Sequence, residues 1–410
     1  MATPPARLGA WSLYAGMLAT AGLPIYIHAP KFYVDTYGVS LAAMGVALGL
    51  LRLVDVVQDP VLGWLVERYR SARGQMAAVG AAAMAGAMLA LFAVPPPVAP
   101  VLWFGLSLLV LFSAFSLGTI CLYAEGVSKA GRMGMGGHLR LATWREAGAL
   151  VGVSLAAVAP VALAGATDRP FAAFAVLFGG LALLAVLAMR AEWWGRQPYS
   201  PPPAWSRILG DPMARRLLLL AFVNGAPVAV TSTLFLYFVE SRLEAPALAG
   251  PFLLLFFLAA ALSTPVWGRV AARTGLKTAL LAGMGLSVVS FAFATSLGPG
   301  DTLAFMAICL ASGAALGADM VLLPAIFARH LSQQWGGEGI GFGLWNFAAK
   351  LTLAAAAVTL LPALQVAGFV SGGANAEPAL QLLSLFYAAL PCALKLVAIA
   401  LLHFTPVPEA

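Results

Sequence analysis

The chain has 410 residues, of which 61% are hydrophobic and only 10% charged, and its mean hydropathy is +0.92. Soluble domains carry about 25% charged residues, so this composition excludes a water-soluble enzyme or binding module. A formal charge of +7 invites a nucleic-acid reading, but the basic residues are scattered over short loops instead of forming one soluble face.

Twelve apolar runs follow one another, each long enough to cross about 30 Å of hydrocarbon. Their estimated limits are about 8–32, 40–67, 76–95, 99–129, 139–165 and 169–191, then 213–243, 247–273, 277–297, 300–328, 337–367 and 378–404. The one long polar connection is AEWWGRQPYSPPPAWSRILGDP, residues 191–212, whose Trp residues suit a membrane interface. It divides the chain into an N-terminal six-helix bundle (1–190), a central cytoplasmic loop (191–212) and a C-terminal six-helix bundle (213–410).

The charges give the topology. With the N-terminus inside, sixteen of the 23 Lys and Arg fall on the cytoplasmic side. Only Lys31, Arg169 and Arg242 fall outside, and Arg52, Arg145, Lys350 and Lys395 lie within spans. This asymmetry is the positive-inside pattern for both termini in the cytoplasm, as in a bacterial inner membrane protein. Cys121, Cys309 and Cys392 all sit in apolar spans, so no disulfide framework is expected. The start MATPPARLG lacks a cleavable signal pattern, and the first apolar run reads as the first span.

The second span contains GLLRLVDVVQDPVLGWLVERYR, residues 49–70. Arg52, Asp55 and Asp59 are separated by three and four residues, so a helix places all three on one face. Ionisable groups at membrane depth cost several kcal/mol unless paired or hydrated, and they mark ion or solute pathways. Two carboxylates one turn apart cannot both ionise cheaply in a low dielectric: either they share a proton or a cation sits between them. A structural ion-pair network with Arg52, Arg145 and Lys350 is the competing reading.

The two halves repeat. Pro60-Val61-Leu62-Gly63 recurs as Pro265-Val266-Trp267-Gly268, 205 residues later, and each is followed by a short basic turn. A half-length repeat of six helices is the architecture of the major facilitator fold, with a solute site near the midplane between the halves. Across the repeat Asp55 and Asp59 match Ala260 and Thr264, so the fold itself does not demand the carboxylates.

Four stretches resemble a known family. They are FYVDTYGVSLAAMG (32–45) with LLRLVDVVQDPVLGW (50–64), LYAEG (122–126) with RLATWREAGALVG (140–152), LLPAIFARHL (322–331), and GEGIGFGLWNFAAKL (337–351). Together they resemble the glycoside–pentoside–hexuronide:cation symporters, the melibiose permease-like branch of the major facilitator superfamily. The resemblance implies that Asp55 and Asp59 hold a coupling cation, with Gln58 where the family usually has Asn and Ser113 as a hydroxyl ligand. It makes Arg52, Arg145 and Lys350 the charged network around them. Sodium needs several oxygens, which Asp55, Asp59, Gln58 and Ser113 can supply; a proton needs only the pair. The family's sugar-binding carboxylates fall at about Ala19 and Ser116, and an expected acid is replaced by Arg329. The resemblance therefore supports the coupling machinery better than it supports a sugar as cargo.

Other polar residues are less specific. Arg145 and Glu146 are adjacent and so should point in different directions, with Arg145 toward the cavity, toward the interface, or toward Glu125. Asp319 has Ala114 opposite it in the repeat and is expected to face Lys350 or the cargo. Lys395 reads as interfacial, near the end of its span. Asn224, Tyr237, Trp345 and Asn346 are possible cavity groups, although single polar residues in spans commonly bond a neighbouring helix. No phosphate-binding loop, metal-ligand His/Cys spacing or nucleophile triad is present in the sequence, so no cofactor and no enzyme activity are expected.

The reading is a secondary active transporter coupling a small organic solute to sodium or protons by alternating access, working as a monomer in a lipid bilayer without nucleic acid. A lysolipid or other amphipathic anion, held at its head group by Arg52, Arg145 or Lys350, is the alternative cargo. A non-transporting membrane scaffold or sensor on the same fold is the alternative from another class.

Overall fold

A computed structural model of the chain describes residues 7–134, 136–193, 205–334, 337–370, 373 and 375–407, except the side chains of 23–28, 31, 41, 42, 52, 161 and 334. Every regular element among them is helical. Most of the central loop, 194–204, lies outside the described residues.

The helices are α1 (Leu8–Thr20), α2 (Leu23–Tyr37), α3 (Leu41–Arg68), α4 (Arg73–Phe92), α5 (Pro100–Ala130), α6 (Gly137–Ala164) and α7 (Pro170–Met189). A short α8 (Trp205–Gly210) precedes α9 (Pro212–Tyr237), α10 (Ala249–Thr274), α11 (Leu276–Ala292), α12 (Thr302–Gln334), α13 (Glu338–Val366), α14 (Glu377–Ser384) and α15 (Leu390–His403). Ten helical segments among the described residues are long and apolar enough to cross a membrane. The α1–α2 pair and the charge-bearing α3 are not among these ten.

The first span is not continuous, as the sequence suggests, but breaks at Ala21–Gly22. Pro24 has no N–H to give back to the preceding turn, so α2 has to begin afresh. α2 then ends at Gly38, whose φ of +65° is a left-handed cap that glycine adopts without strain. Two residues on, the Ser40 hydroxyl accepts from the Ala43 N–H at 3.2 Å and starts α3. Pro100, Pro170 and Pro212 each open a helix, where their missing N–H costs nothing.

By contacts the chain forms two units, Met1–Ile208 with Ala328–Phe347, and Leu209–Phe327 with Ala348–Ala410. In the first unit, α1 and α6 cross closely through Gly16, Gly148 and Gly152, and the Ser12 hydroxyl donates to the Trp144 carbonyl. In the same unit Phe92 stacks on Phe171 at 5.4 Å, with Phe32 against both. In the second unit two π-helical turns, Phe238–Arg242 and Leu385–Ala389, follow α9 and α14. Phe238 and Tyr387 from these turns stack at 4.1 Å, and Phe305 packs beside them.

Gly63, three residues after Pro60 in α3, has a role the sequence does not reveal. A Cβ there would stand 2.6 Å from the Gly339 carbonyl and 3.0 Å from the Gly343 Cα. α3 and the first turns of α13 thus touch backbone to backbone. Gly63→Ala should destabilise the protein by about 1–3 kcal/mol through overpacking, outweighing alanine's better helix propensity. Thermal melting of the purified variant checks this; an unchanged or raised midpoint refutes the close approach.

Candidate functional site

On α3, Asp55 is 5% exposed and Asp59 is fully buried, on the same side of the helix. Gln58 Nε2 donates to Asp55 Oδ1 at 3.2 Å, and Ser113 Oγ on α5 donates to Gln58 Oε1 at 2.7 Å. The sequence-predicted cation ligands Asp55, Gln58 and Ser113 are therefore joined in one chain of hydrogen bonds. This chain leaves the Gln58 amide oriented with its nitrogen toward the carboxylate and its oxygen toward the hydroxyl. Asp59 comes one turn after Asp55, and a Cβ added at Gly343 would lie 2.7 Å from its backbone carbonyl. Arg52 belongs to α3, but its side chain lies outside the described residues. Ser116 is fully buried on α5, while Trp345 and Asn346 are half-buried on α13 in the same unit. Lys350 is half-buried on the part of α13 that belongs to the second unit.

Arg145 and Glu146 do not diverge as expected. Arg145 Nε lies 2.8 Å from Glu146 Oε1, and the Tyr123 hydroxyl donates to the same oxygen at 2.6 Å. The guanidinium also covers the Tyr123 ring, 3.5 Å from its centre. Long side chains on adjacent residues can converge when a third group draws both, and here the half-buried Tyr123 of α5 does so. The assembly combines an ion pair, a charge-assisted hydrogen bond and a cation–π contact. Phe342 of α13 also packs against the Tyr123 ring, with centroids 4.8 Å apart.

A second charge cluster escaped sequence reasoning. Arg70 and Arg73 read as loop positives, yet Arg73 is only 1% exposed. Its guanidinium lies 3.1 Å from Glu67, 3.7 Å from Glu125 and 3.7 Å from Glu338, and Arg70 reaches Glu67 at 3.2 Å and Glu338 at 3.1 Å. Glu67 also accepts from the backbone N–H groups of Gly337 and Gly339. Acids and bases three and six residues apart around 67–73 were the available signal; the partners on α5 and α13 were not legible.

Lys395 overturns its sequence reading. It is 2% exposed, and its ammonium donates to Asp319 Oδ2 at 2.6 Å and Asn224 Oδ1 at 2.7 Å. Asp319 thus meets Lys395 on α15 and not Lys350. The reason lies in helix packing: α15 lies along α9, so the Lys395 stem points inward and cannot snorkel to water.

Near the end of α7, Glu192 accepts from the Arg7 N–H at 3.1 Å, the Trp11 indole at 3.2 Å and the Lys129 ammonium at 3.0 Å. Burial pushes its carboxyl up, but Lys129 and the two N–H donors outweigh burial and hold it below the usual carboxylate range.

All these features define a polytopic helical membrane protein whose ionisable side chains are gathered inside its bundles, the pattern of a secondary transporter. A family model described as MFS/sugar transport protein matches residues 10–409, and the chain belongs to that family. Among solved structures, a bacterial homologue of the iron transporter ferroportin in an outward-facing state matches with a TM-score of 0.70. It is 15% identical, over 97% of this chain and 99% of that one. The same homologue soaked with iron gives 0.69. The Escherichia coli fucose:proton symporter gives 0.66 at 16% identity, over 97% and 98% of the two chains. These likenesses establish the major facilitator fold. No curated protein sequence matches the chain.

Two outcomes follow. Arg73→Ala leaves Glu67, Glu125 and Glu338 buried without their shared cation, and should cost about 3–5 kcal/mol in unfolding measurements; a smaller loss than about 1 kcal/mol, as for an exposed pair, refutes a buried network. For Glu192 the folded value lies below the unfolded one, so its stabilisation is complete above about pH 4.3 and is lost as pH falls further. Melting curves from about pH 6 to about pH 3 should therefore decline less steeply in Glu192→Gln than in wild type; equal slopes refute the assignment.

Proposed function

We propose that the protein is a cation-coupled secondary transporter of the glycoside–pentoside–hexuronide:cation symporter kind, moving a small organic solute by alternating access. The observation that carries this reading is the buried Asp55–Gln58–Ser113 chain with Asp59 one helical turn away. Two carboxylates so close in a low dielectric gain most from a bound sodium ion or proton, and Gln58 and Ser113 add neutral oxygens beside them. The family model and the named activity of the fucose:proton symporter support coupled transport of a sugar-like solute.

Cation binding neutralises the α3 carboxylates and favours the cargo-binding form; release restores their repulsion and lets the empty carrier relax another way. Arg145, held by Glu146 and Tyr123, contributes to the charge network of the first unit, with Arg52, Ser116, Trp345 and Asn346 as further candidates for contact with the solute. The protein acts as a monomer in a bacterial cytoplasmic membrane with both termini inside, a reading supported by the distribution of Lys and Arg over the loops. Ala19 and Ser116, in place of sugar-binding acids, favour the second cargo class, an amphipathic anion such as a lysolipid.

The test is thermal stability of purified protein against NaCl, with KCl as control, at two pH values. If sodium is the coupling ion, about 100 times its Kd stabilises wild type by about 2.7 kcal/mol, and Asp59→Asn abolishes the shift. If the proton is, stability depends on pH in wild type and loses that dependence in the variant. Insensitivity of wild type to both ions, with Asp59→Asn behaving identically, overturns coupling at α3 in favour of the scaffold reading.

A further inference from the structure

Three helices of the first unit meet at the end of α4 remote from Arg73: α2 ends at Tyr37, α4 ends at Phe92 and α7 begins at Pro170. They border a cavity of about 690 Å³ that opens beside the exposed Asp35, Asp168 and Arg169. Its volume falls within the range of small-molecule sites, about 300–1,000 Å³. None of its lining residues belongs to the α3 hydrogen-bond chain or to the Arg73 and Arg145 clusters.

Four aromatic rings line this cavity. Phe92 and Phe171 stack with centroids 5.4 Å apart, and Phe32 stands against Phe92 at 5.4 Å, Phe171 at 5.2 Å and Tyr37 at 6.0 Å. Ring faces attract cations. The charges agree in sign, since the described lining side chains include two carboxylates, Asp35 and Asp168, and one guanidinium, Arg169. Asp35 is already engaged, and Lys31 precedes it by four residues in the sequence, the spacing of a helical ion pair. Asp168 makes no hydrogen bond or ion pair with a described residue, so its oxygens are left to accept. The backbone adds to this. Tyr37 and Ala93 bring the C-terminal ends of α2 and α4 to the cavity, against one N-terminal end from α7. Two partly negative helix ends thus meet one partly positive end.

This lining selects among ligands. An anion would meet ring faces, an available carboxylate and two helix C-termini. A bare metal ion needs several oxygens close around it, and no group of three metal-ligating acids, His or Cys occurs among the described residues. A neutral apolar molecule gains nothing from Asp168. We propose that the cavity binds a small water-soluble organic cation of the alkylammonium class, its charge held by the rings and by Asp168. Such a site stands apart from the transport reading, because it holds its ligand whether or not the α3 carboxylates couple an ion.

The experiment is calorimetric titration of full-length protein in a maltoside detergent with choline chloride, against NaCl as control. Dimethylbutanol, the uncharged carbon isostere of choline, is titrated beside it. The expected result is saturable choline binding, at least about tenfold tighter than that of the alcohol, since several rings and a carboxylate act on the charge. Asp168→Asn and Phe171→Leu should each weaken choline about threefold to tenfold. Asp168 is exposed and leucine keeps an apolar side chain at 171, so both variants should fold, which their melting midpoints check. Binding should be unchanged in Asp55→Asn/Asp59→Asn; its loss there assigns the cation to α3 and overturns the proposal. Choline heats equal to those of NaCl, equal affinity for the alcohol, or undiminished binding in both cavity variants overturn it as well. Loss of choline binding in phosphatidylcholine nanodiscs makes a lipid headgroup the occupant and likewise refutes a dissolved cation.

Discussion

Charge burial in a low dielectric is the constraint on which the rest of this structure depends. An ion inside the bilayer must find a partner or lose its charge, and unpaired ions there cost several kcal/mol. Arg73 is covered by three carboxylates, Arg145 by Glu146 and a tyrosine ring, Lys395 by Asp319 and Asn224. Each cluster draws its members from different helices. The clusters therefore act as fixed points that set which helices pack and in what register, in a solvent where apolar contact alone gives no preference between lipid and protein.

Glycine serves the same end by another route. Gly63 lets α3 approach the start of α13 until backbones touch, and that contact brings the Gly337 and Gly339 N–H groups onto Glu67. The Glu67 carboxylate, with Arg70 and Arg73 beside it, is satisfied by donors that exist only because no side chain intervenes. Close packing and charge satisfaction are thus one feature. The same helix carries Asp55 and Asp59 two to three turns earlier, so its position against α5 and α13 also fixes where the carboxylate pair lies.

The two units handle buried acids differently. On α3 the Asp55 carboxylate accepts from Gln58, and Gln58 accepts in turn from Ser113. In the second unit Asp319 is already matched by Lys395, and the remaining free valence is a single carboxylate oxygen at a water-sized cavity. The half-length repeat in the sequence therefore houses two unlike electrostatic designs.

The membrane class, the order and rough limits of the spans, and the α3 carboxylate face were legible in the sequence. Hydropathy, loop charge and a spacing of four residues are local properties, each read along one strand of text. The pairing of Lys395 with Asp319 was not legible, because 76 residues and two helix crossings separate them. Nor was the burial of Arg73, since an arginine at the end of the short stretch between two helices looks the same whether water or three carboxylates surround it. Arg145 and Glu146 failed for a related reason: adjacency predicts divergence until a third side chain, Tyr123, supplies a common target. The sequence by itself determined that this chain crosses a membrane and carries charges it must compensate. Only the tertiary structure decided which charge compensates which, because the choice is made by distances between helices that no local pattern encodes.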